Sequence, residues 1–382
     1  MRPLTAPHLL ELKPYIPGRS IDQVKREIGI EEVIKLASNE CPFGPSPLAV
    51  EAMTRALREA HLYPDDSPEL REALGARLSV PSEQILAGAG ATDLIELCVR
   101  TFILPGQHAV VSACSFLAYT LFLKAAAADV TFAPARNFAI DLEAMAAAVR
   151  EDTRLIFIPN PNNPTGSAFS TGELDRFVAS LPPDTVLVLD DAYVDYHDSP
   201  DKPDSLSILR RRERTVVLRS FSKVHGLAGM RVGYAISSLP VIEALSRVQR
   251  PFSVTRVAVE GALAALDDHE HVRRVIDQTL RGRVWLSQAL HEIGFSPLPT
   301  QTNFVTIPLA SEADAAALAE DLLCRGVIIR PLAAFEMPSA VRITVGTAEQ
   351  NQRVIAAVAE SLEMDRRLLG CRLPVPNGIS SR

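Results

Sequence analysis

The chain has 382 residues, 47% hydrophobic and 22% charged, enough material for two compact domains with substantial cores. Its formal charge of −7 and lack of any basic stripe argue against a nucleic-acid partner, since little is available to neutralise phosphates. Five cysteines without metal-like spacing suit a reducing compartment and suggest neither a disulfide framework nor a metal centre. The opening residues lack the apolar run of a signal peptide and no stretch reaches transmembrane length, so a soluble cytoplasmic protein with no membrane partner is expected.

No internal repeat or long low-complexity segment interrupts the pattern. In chain order the predicted strands are HAVVSA (108–113), ADVTFAP (128–134), RLIFIPN (154–160), TVLVLDD (185–191), TVVLRS (215–220) and RVGYAIS (231–237). Helical stretches such as DLEAMAAAVRE and STGELDRFVAS separate several of them, the second opening on a Ser-x-x-Glu start. Apolar runs without polar alternation predict an α/β fold with a mostly parallel central sheet flanked by helices. Beyond about Leu266 a long helical region leads to NFVTIPL, EADAAALAEDLLCRG, GVIIRPL and VRITVG, which reads as a smaller α+β domain. The expected organisation is an N-terminal segment (1–40) joining the small domain, a large domain (41–265), the small domain (266–364) and a loosely ordered tail (365–382).

Polar clusters close several of the buried strands, where α/β sheets place ligands. In NPNNPTG, Asn160 to Gly166, two prolines stiffen a loop that either presents asparagine side chains or is a plain turn. Asp190 ends an apolar strand, where a carboxylate needs a donor or cation. A helix cap, a salt bridge, a bound cation and a Mg²⁺ site with Asp191 and Asp195 all satisfy that need. In SFSKVHGLAGMRVGY, Ser220, Ser222 and Arg231 are suitable phosphate ligands. Lys223 among them is either a surface ion-pair partner or an amine facing the ligand crevice. LAGAGATDLIELCVR (86–100) opens a helix at a glycine-bearing turn, an anion site in form. It is GxGxxD rather than GxGxxG, so a dinucleotide fold is unsupported.

An amine for a Schiff base, a carboxylate for a ring nitrogen, polar groups for a phenolic oxygen and a phosphate cradle together describe a pyridoxal phosphate site. With LASNECPFGPSP, YPD (63–65), NPNNPTG, DDAYVDY, SFSKVHGLAGMRVGY, RPFSV and GVIIRPL…VRITVGT in that order, the chain resembles the fold-type I pyridoxal-phosphate aminotransferases over roughly residues 10 to 360. Within them it is most similar to the histidinol-phosphate aminotransferases. The resemblance implies an aspartate aminotransferase-like large domain, pyridoxal 5′-phosphate as cofactor, an amino donor and a 2-oxo acid acceptor as substrates, and a homodimer. It makes Lys223 the lysine that binds the cofactor covalently and Asp190 the partner of the ring nitrogen. Asn163 and Tyr193 would meet the ring's 3-oxygen, and Phe116 would stack on the ring. Ser220, Ser222, Arg231 and the backbone of Ala91 and Thr92 would cradle the phosphate, with Tyr63 reaching the phosphate of the neighbouring subunit. Arg342, Arg330 and Tyr15 would meet the substrate.

Cys41, Asp191 and His225 depart from the family's usual residues, as do RPFSVT around Ser253 and Thr255 and the stretch from Ala333 to Met337. The last two are expected near the substrate pocket, so they bear on the choice of amine. His225, Cys41 and Cys114 read as packing residues. The implied activity is a histidinol-phosphate-type transamination with 2-oxoglutarate. An aromatic amino-acid aminotransferase, a threonine-phosphate decarboxylase and a specialised biosynthetic transaminase are the nearest enzymes. A non-catalytic ligand-binding relative is the alternative of another class.

Overall fold

The computed structural model describes residues 4–12 and 18–369. Among them, seven strands build the central sheet: β1 (Ile85–Gly88), β2 (His108–Ser112), β3 (Asp129–Ala133), β4 (Thr153–Pro159), β5 (Val186–Asp190), β6 (Thr215–Ser220) and β7 (Gly233–Ser237). Their order is β1-β7-β6-β5-β4-β2-β3. From β6 to β3 every pairing is parallel, whereas β7 runs antiparallel to both β6 and β1. The reversal follows from the connection: between Ser220 and Gly233 there is one 3-10 turn and no long helix, so the chain makes no crossover and returns antiparallel. The edge strand β1 has only four residues, too short a run to stand out in the sequence beside the glycines that follow it.

Alternation along the strands divides the core between two faces. Leu155 and Phe157 of β4 pack with Val186, Val188, Val216 and Leu218 on one face. Ile156 and Ile158 pack with Leu187, Leu189 and Val217 on the other. Helices α1 (Ala91–Phe102) and α2 (Leu117–Ala125) cover the first face, burying Leu94, Ile95, Tyr119 and Leu123. The second is covered by α3 (Thr171–Ser180), through Leu174 and Phe177. As the Ser-x-x-Glu pattern predicts, α3 opens on a capping box between Ser170 and Glu173.

Helix α4 (Arg256–Asp267) packs on the large domain, and the 24-residue α5 (His269–Glu292) carries the chain to the small one. There β8 (Phe304–Pro308), β9 (Arg330–Pro331) and β10 (Ala340–Thr344) form an antiparallel sheet in the order β8-β10-β9. It is backed by α6 (Glu312–Cys324) and α7 (Ala348–Leu369). Ile34–Lys35 pairs in parallel with Val327–Ile328 and Leu36 enters this core. The N-terminal segment thereby brings residues 37–40 between the two sheets. Helix α7 runs to Leu369, into the stretch expected as tail; the rest of that tail, from residue 370, lies outside the described residues.

Candidate active site

Because β4, β5 and β6 are parallel, their C-terminal ends open on one edge of the sheet. A cavity of about 350 Å³ lies there, between the sheet, residues 37–40 and the small domain. Asp190, the last residue of β5, forms its floor and is 6% exposed. Burial raises its pKa, against three groups that favour the charged form. Tyr119 donates its hydroxyl to Oδ2 at 2.6 Å, the Ala192 N–H donates to Oδ1 at 3.0 Å, and the Lys223 ammonium faces the carboxylate across the cavity. Tyr119 is in turn stacked on Phe157, ring centroids 4.7 Å apart, and meets Phe116 edge-on at 5.7 Å. Phe116 presents itself to the cavity.

Lys223 stands on the turn just beyond β6 and lines the cavity. Its Nζ donates to the Asn39 carbonyl at 3.1 Å and lies 5.1 Å from the centre of the Tyr193 ring. At the other end, α1 starts at Gly90 without a side-chain cap, and Ala91 and Thr92 line the cavity with Ser220, Ser222 and Arg231. Arg231 is held by the Ala228 carbonyl at 2.9 Å and by Ser222 Oγ at 3.4 Å. Gly90 has φ +89°, and a Cβ there would fall 2.5 Å from Arg231 Nη2; only glycine lets the guanidinium lie against the helix start. N–H groups at a helix start, two hydroxyls and a guanidinium at one point have the chemistry to hold a phosphate.

The small domain closes the third side. Arg330 and Arg342 are cross-strand partners on β9 and β10, and both line the cavity. Arg342, 4% exposed, donates to Asn163 Oδ1 and, at 2.9 Å, to the Ala37 carbonyl. The ring of Phe335 lies 5.8 Å from the Arg330 guanidinium and 5.7 Å from that of Arg342.

The class I and II aminotransferase family model matches residues 31–358. The chain belongs to the class I and II aminotransferases. It is 44% identical over 362 residues to a histidinol-phosphate aminotransferase of Anaeromyxobacter sp., covering 94% of this chain and 99% of that one. With histidinol-phosphate aminotransferase 2 of Pseudomonas aeruginosa it shares 40% over 368 residues, 95% and 98% of the two chains. Among solved structures it is similar to the histidinol-phosphate aminotransferase of Sinorhizobium meliloti in complex with pyridoxal-5′-phosphate, with a TM-score of 0.87 and 26% identity over 95% of this chain and 99% of that one. The donor set of this aminotransferase fits the same cofactor: a phosphate site at one end of the cavity, a carboxylate for the ring nitrogen, an aromatic ring and an amine between.

Of the residues selected from the sequence, Lys223, Asp190, Asn163, Tyr193, Phe116, Ala91, Thr92, Ser220, Ser222, Arg231, Arg330 and Arg342 all line this one cavity. Tyr15 lies outside the described residues. Tyr63 is away from the cavity of its own chain, 81% exposed and stacked on Phe252 at 4.6 Å. Ser253 and Thr255 do not line the cavity of their own chain. Thr255 caps α4, accepting from the Ala258 N–H at 3.2 Å. Ser253 accepts from Gln249 and belongs to a separate surface cleft with Asp65 and Phe252. From Ala333 to Met337, Phe335 lines the cavity, while Met337 packs with Leu332 and Ala340.

Asp191 binds the Ser205 hydroxyl at 2.8 Å and pairs with Arg219 at 3.3 Å, and burial pushes its pKa up to about 6. His225 packs on Phe221 at 4.9 Å. Burial raises the thiols of Cys41 and Cys114, the opposite of an activated nucleophile. Tyr119 and Asn39 also line this cavity and were not selected from the sequence. Tyr119 lies in the first turn of α2, which Phe116 precedes as its N-cap. Asn39 sits in LASNECPFGPSP with no local signal of what it touches.

Proposed function

We propose that this aminotransferase moves the amino group of histidinol phosphate to 2-oxoglutarate, in histidine biosynthesis, as a cytoplasmic homodimer. The observation that carries the reading is one cavity holding Lys223 and Asp190 on its large-domain side and the arginine pair Arg330 and Arg342 on its small-domain side. Identities of 44% and 40% with proteins of that name support the choice of donor. Histidinol phosphate has no α-carboxylate, so its phosphate is the anion left for the arginines, which match it with two guanidiniums. The acceptor's carboxylates use the same pair in the second half of the reaction.

Pyridoxal 5′-phosphate supplies an aldehyde that takes up the amine and a protonated ring that accepts electrons from the substrate's α-carbon. The protein's part falls to named groups. Lys223 would hold the cofactor's aldehyde carbon and, once free, would serve as the base that takes the substrate's α-proton. Asp190, whose charged form Tyr119, Ala192 and Lys223 favour against burial, would face the ring nitrogen and favour its protonated form. Asn163 and Tyr193 would meet the ring's 3-oxygen, and Phe116 would cover its face. Ser220, Ser222, Arg231 and the start of α1 would hold the phosphate, joined by the partner subunit's Tyr63. A pure binder needs neither Lys223 nor Asp190, so the presence of both favours catalysis over the non-catalytic reading.

Single-turnover spectroscopy of the cofactor-loaded protein tests this. Histidinol phosphate is expected to discharge the visible band of the lysine-bound cofactor rapidly, while phenylalanine and O-phosphothreonine leave it. Lys223→Ala, as a control, is expected to lack the band. Discharge by phenylalanine or O-phosphothreonine in place of histidinol phosphate overturns the donor assignment, and a band retained in Lys223→Ala overturns the lysine's role.

A further inference from the structure

Asn39 is 1% exposed and has a left-handed backbone, φ 55°, a conformation that asparagine adopts more readily than most residues. Each of its polar groups is engaged. Its N–H donates to Thr344 Oγ1 at 3.0 Å, and the Thr344 hydroxyl donates back to Asn39 Oδ1 at 3.2 Å. Its carbonyl accepts from Lys223 Nζ at 3.1 Å and from Asn303 Nδ2 at 3.2 Å. Its amide Nδ2 donates to the Tyr193 hydroxyl at 2.9 Å.

The network fixes the direction of the protons. Thr344 Oγ1 accepts the Asn39 N–H, leaving its own proton for Oδ1, so the other end of the amide is the NH₂. That end can only donate. It fills an acceptor position on the Tyr193 oxygen, and the phenolic proton points elsewhere. Tyr193 lines the cavity, and that is where the proton can be used.

We propose that Asn39 is a positioning residue that makes Tyr193 a hydrogen-bond donor into the cavity. Resting on the cofactor reading above, this gives the 3-oxygen of the ring a fixed donor. It also ties that donor to Thr344 of β10 and Asn303 of the small domain, so the ring is oriented from both domains at once. A donor on this oxygen favours its ionised form and lowers the pH at which the lysine-bound cofactor gives up its proton. Losing the donor raises that pH.

The test is the pH midpoint of the visible absorbance change of the cofactor-loaded protein. Tyr193→Phe is expected to raise the midpoint by about one unit. Asn39→Gly keeps the backbone carbonyl and suits the positive φ. It is expected to raise the midpoint in the same direction, and to add nothing further in the Tyr193→Phe background. The charged groups facing the cavity, Glu40, Asp190, Lys223, Arg231, Arg330 and Arg342, are the same in wild type, Tyr193→Phe and Asn39→Gly. A merely structural asparagine would change the melting temperature and leave the midpoint alone. Asn39→Asp serves as a second variant: it accepts where the amide donates, drawing the tyrosine proton away, and its shift must shrink without the Tyr193 hydroxyl. An unchanged midpoint in Asn39→Gly, or equal shifts with and without that hydroxyl, overturns the proposal alone. A wild-type protein with no visible band on adding pyridoxal phosphate overturns it together with the cofactor reading.

Discussion

A carboxylate buried at the end of a strand serves as a fixed negative charge only if its neighbours hold it ionised. For Asp190 the neighbour with the shortest bond is Tyr119, at 2.6 Å. Removing that donor leaves burial less opposed and moves the carboxyl further up. Tyr119→Phe is therefore expected to shift the acid limb of the kcat/KM profile to higher pH. It should also lower the plateau about tenfold, the scale of one hydrogen bond to a charged group. A profile that falls uniformly without shifting would assign Tyr119 to packing alone.

The adjacent Asp191 gives a stability prediction of definite sign. Its pKa is pushed up from 3.8 to about 6, so the folded state holds this proton more tightly than the unfolded chain does. The contribution is fully present below about pH 4 and is lost as pH rises through about 6. Melting of the apoprotein across this interval should show wild type losing ground to Asp191→Asn as pH rises, with a constant difference above it. A difference that does not vary with pH would mean the carboxyl titrates normally.

Among the elements, α1 is proposed to contribute function through its first turn. Gly90 supplies a positive φ and leaves room for Arg231, and the helix start carries no side-chain cap that would occupy its N–H groups. Gly90→Ala puts a Cβ 2.5 Å from Arg231 Nη2 and strains the turn. Titration of the apoprotein with pyridoxal phosphate should then give a Kd at least about tenfold higher, while the strain lowers the apoprotein's melting temperature. Unchanged affinity would separate the helix start from the phosphate. On the small domain, Arg330 and Arg342 meet because β9 and β10 pair in register. Twelve residues of sequence separate them, and only the antiparallel turn brings their guanidiniums to the same ring, Phe335.

For the whole molecule the proposal is a dimer that shares its sites. Tyr63 and Phe252 are stacked on each other and exposed, 81% and 56%, and Tyr63 is off the cavity of its own chain. Sedimentation should give twice the 41.5 kDa of one chain. If Tyr63 serves the partner's site, Lys223→Ala and Tyr63→Ala chains mixed after reversible dissociation should recover activity above the sum of the two parents. Random pairing restores about a quarter of the sites. No recovery, with mixed dimers shown to form, would confine each site to one chain.

The parallel strands were legible before the structure because each is a run of buried aliphatic residues between turn signals. The motifs at their ends were legible because lysine, aspartate, arginine and glycine-bearing turns in one order narrow the chemistry to a phosphate, an amine and a ring. These are local properties: composition, spacing and the cost of an unpaired charge at a strand end act within a few residues. Other features depend on contacts between distant segments. Asn39 and Thr344 are separated by 305 positions, and Tyr119 and Asp190 by 71; neither bond leaves a trace in local pattern. Nor does the sequence show that Thr255, a departure from the family's usual residues, caps α4 in this chain. The residue types thus specify the chemistry on their own, while the packing of one domain against the other decides which polar groups hold them in line, because a hydrogen bond is set by distance in space and not along the chain.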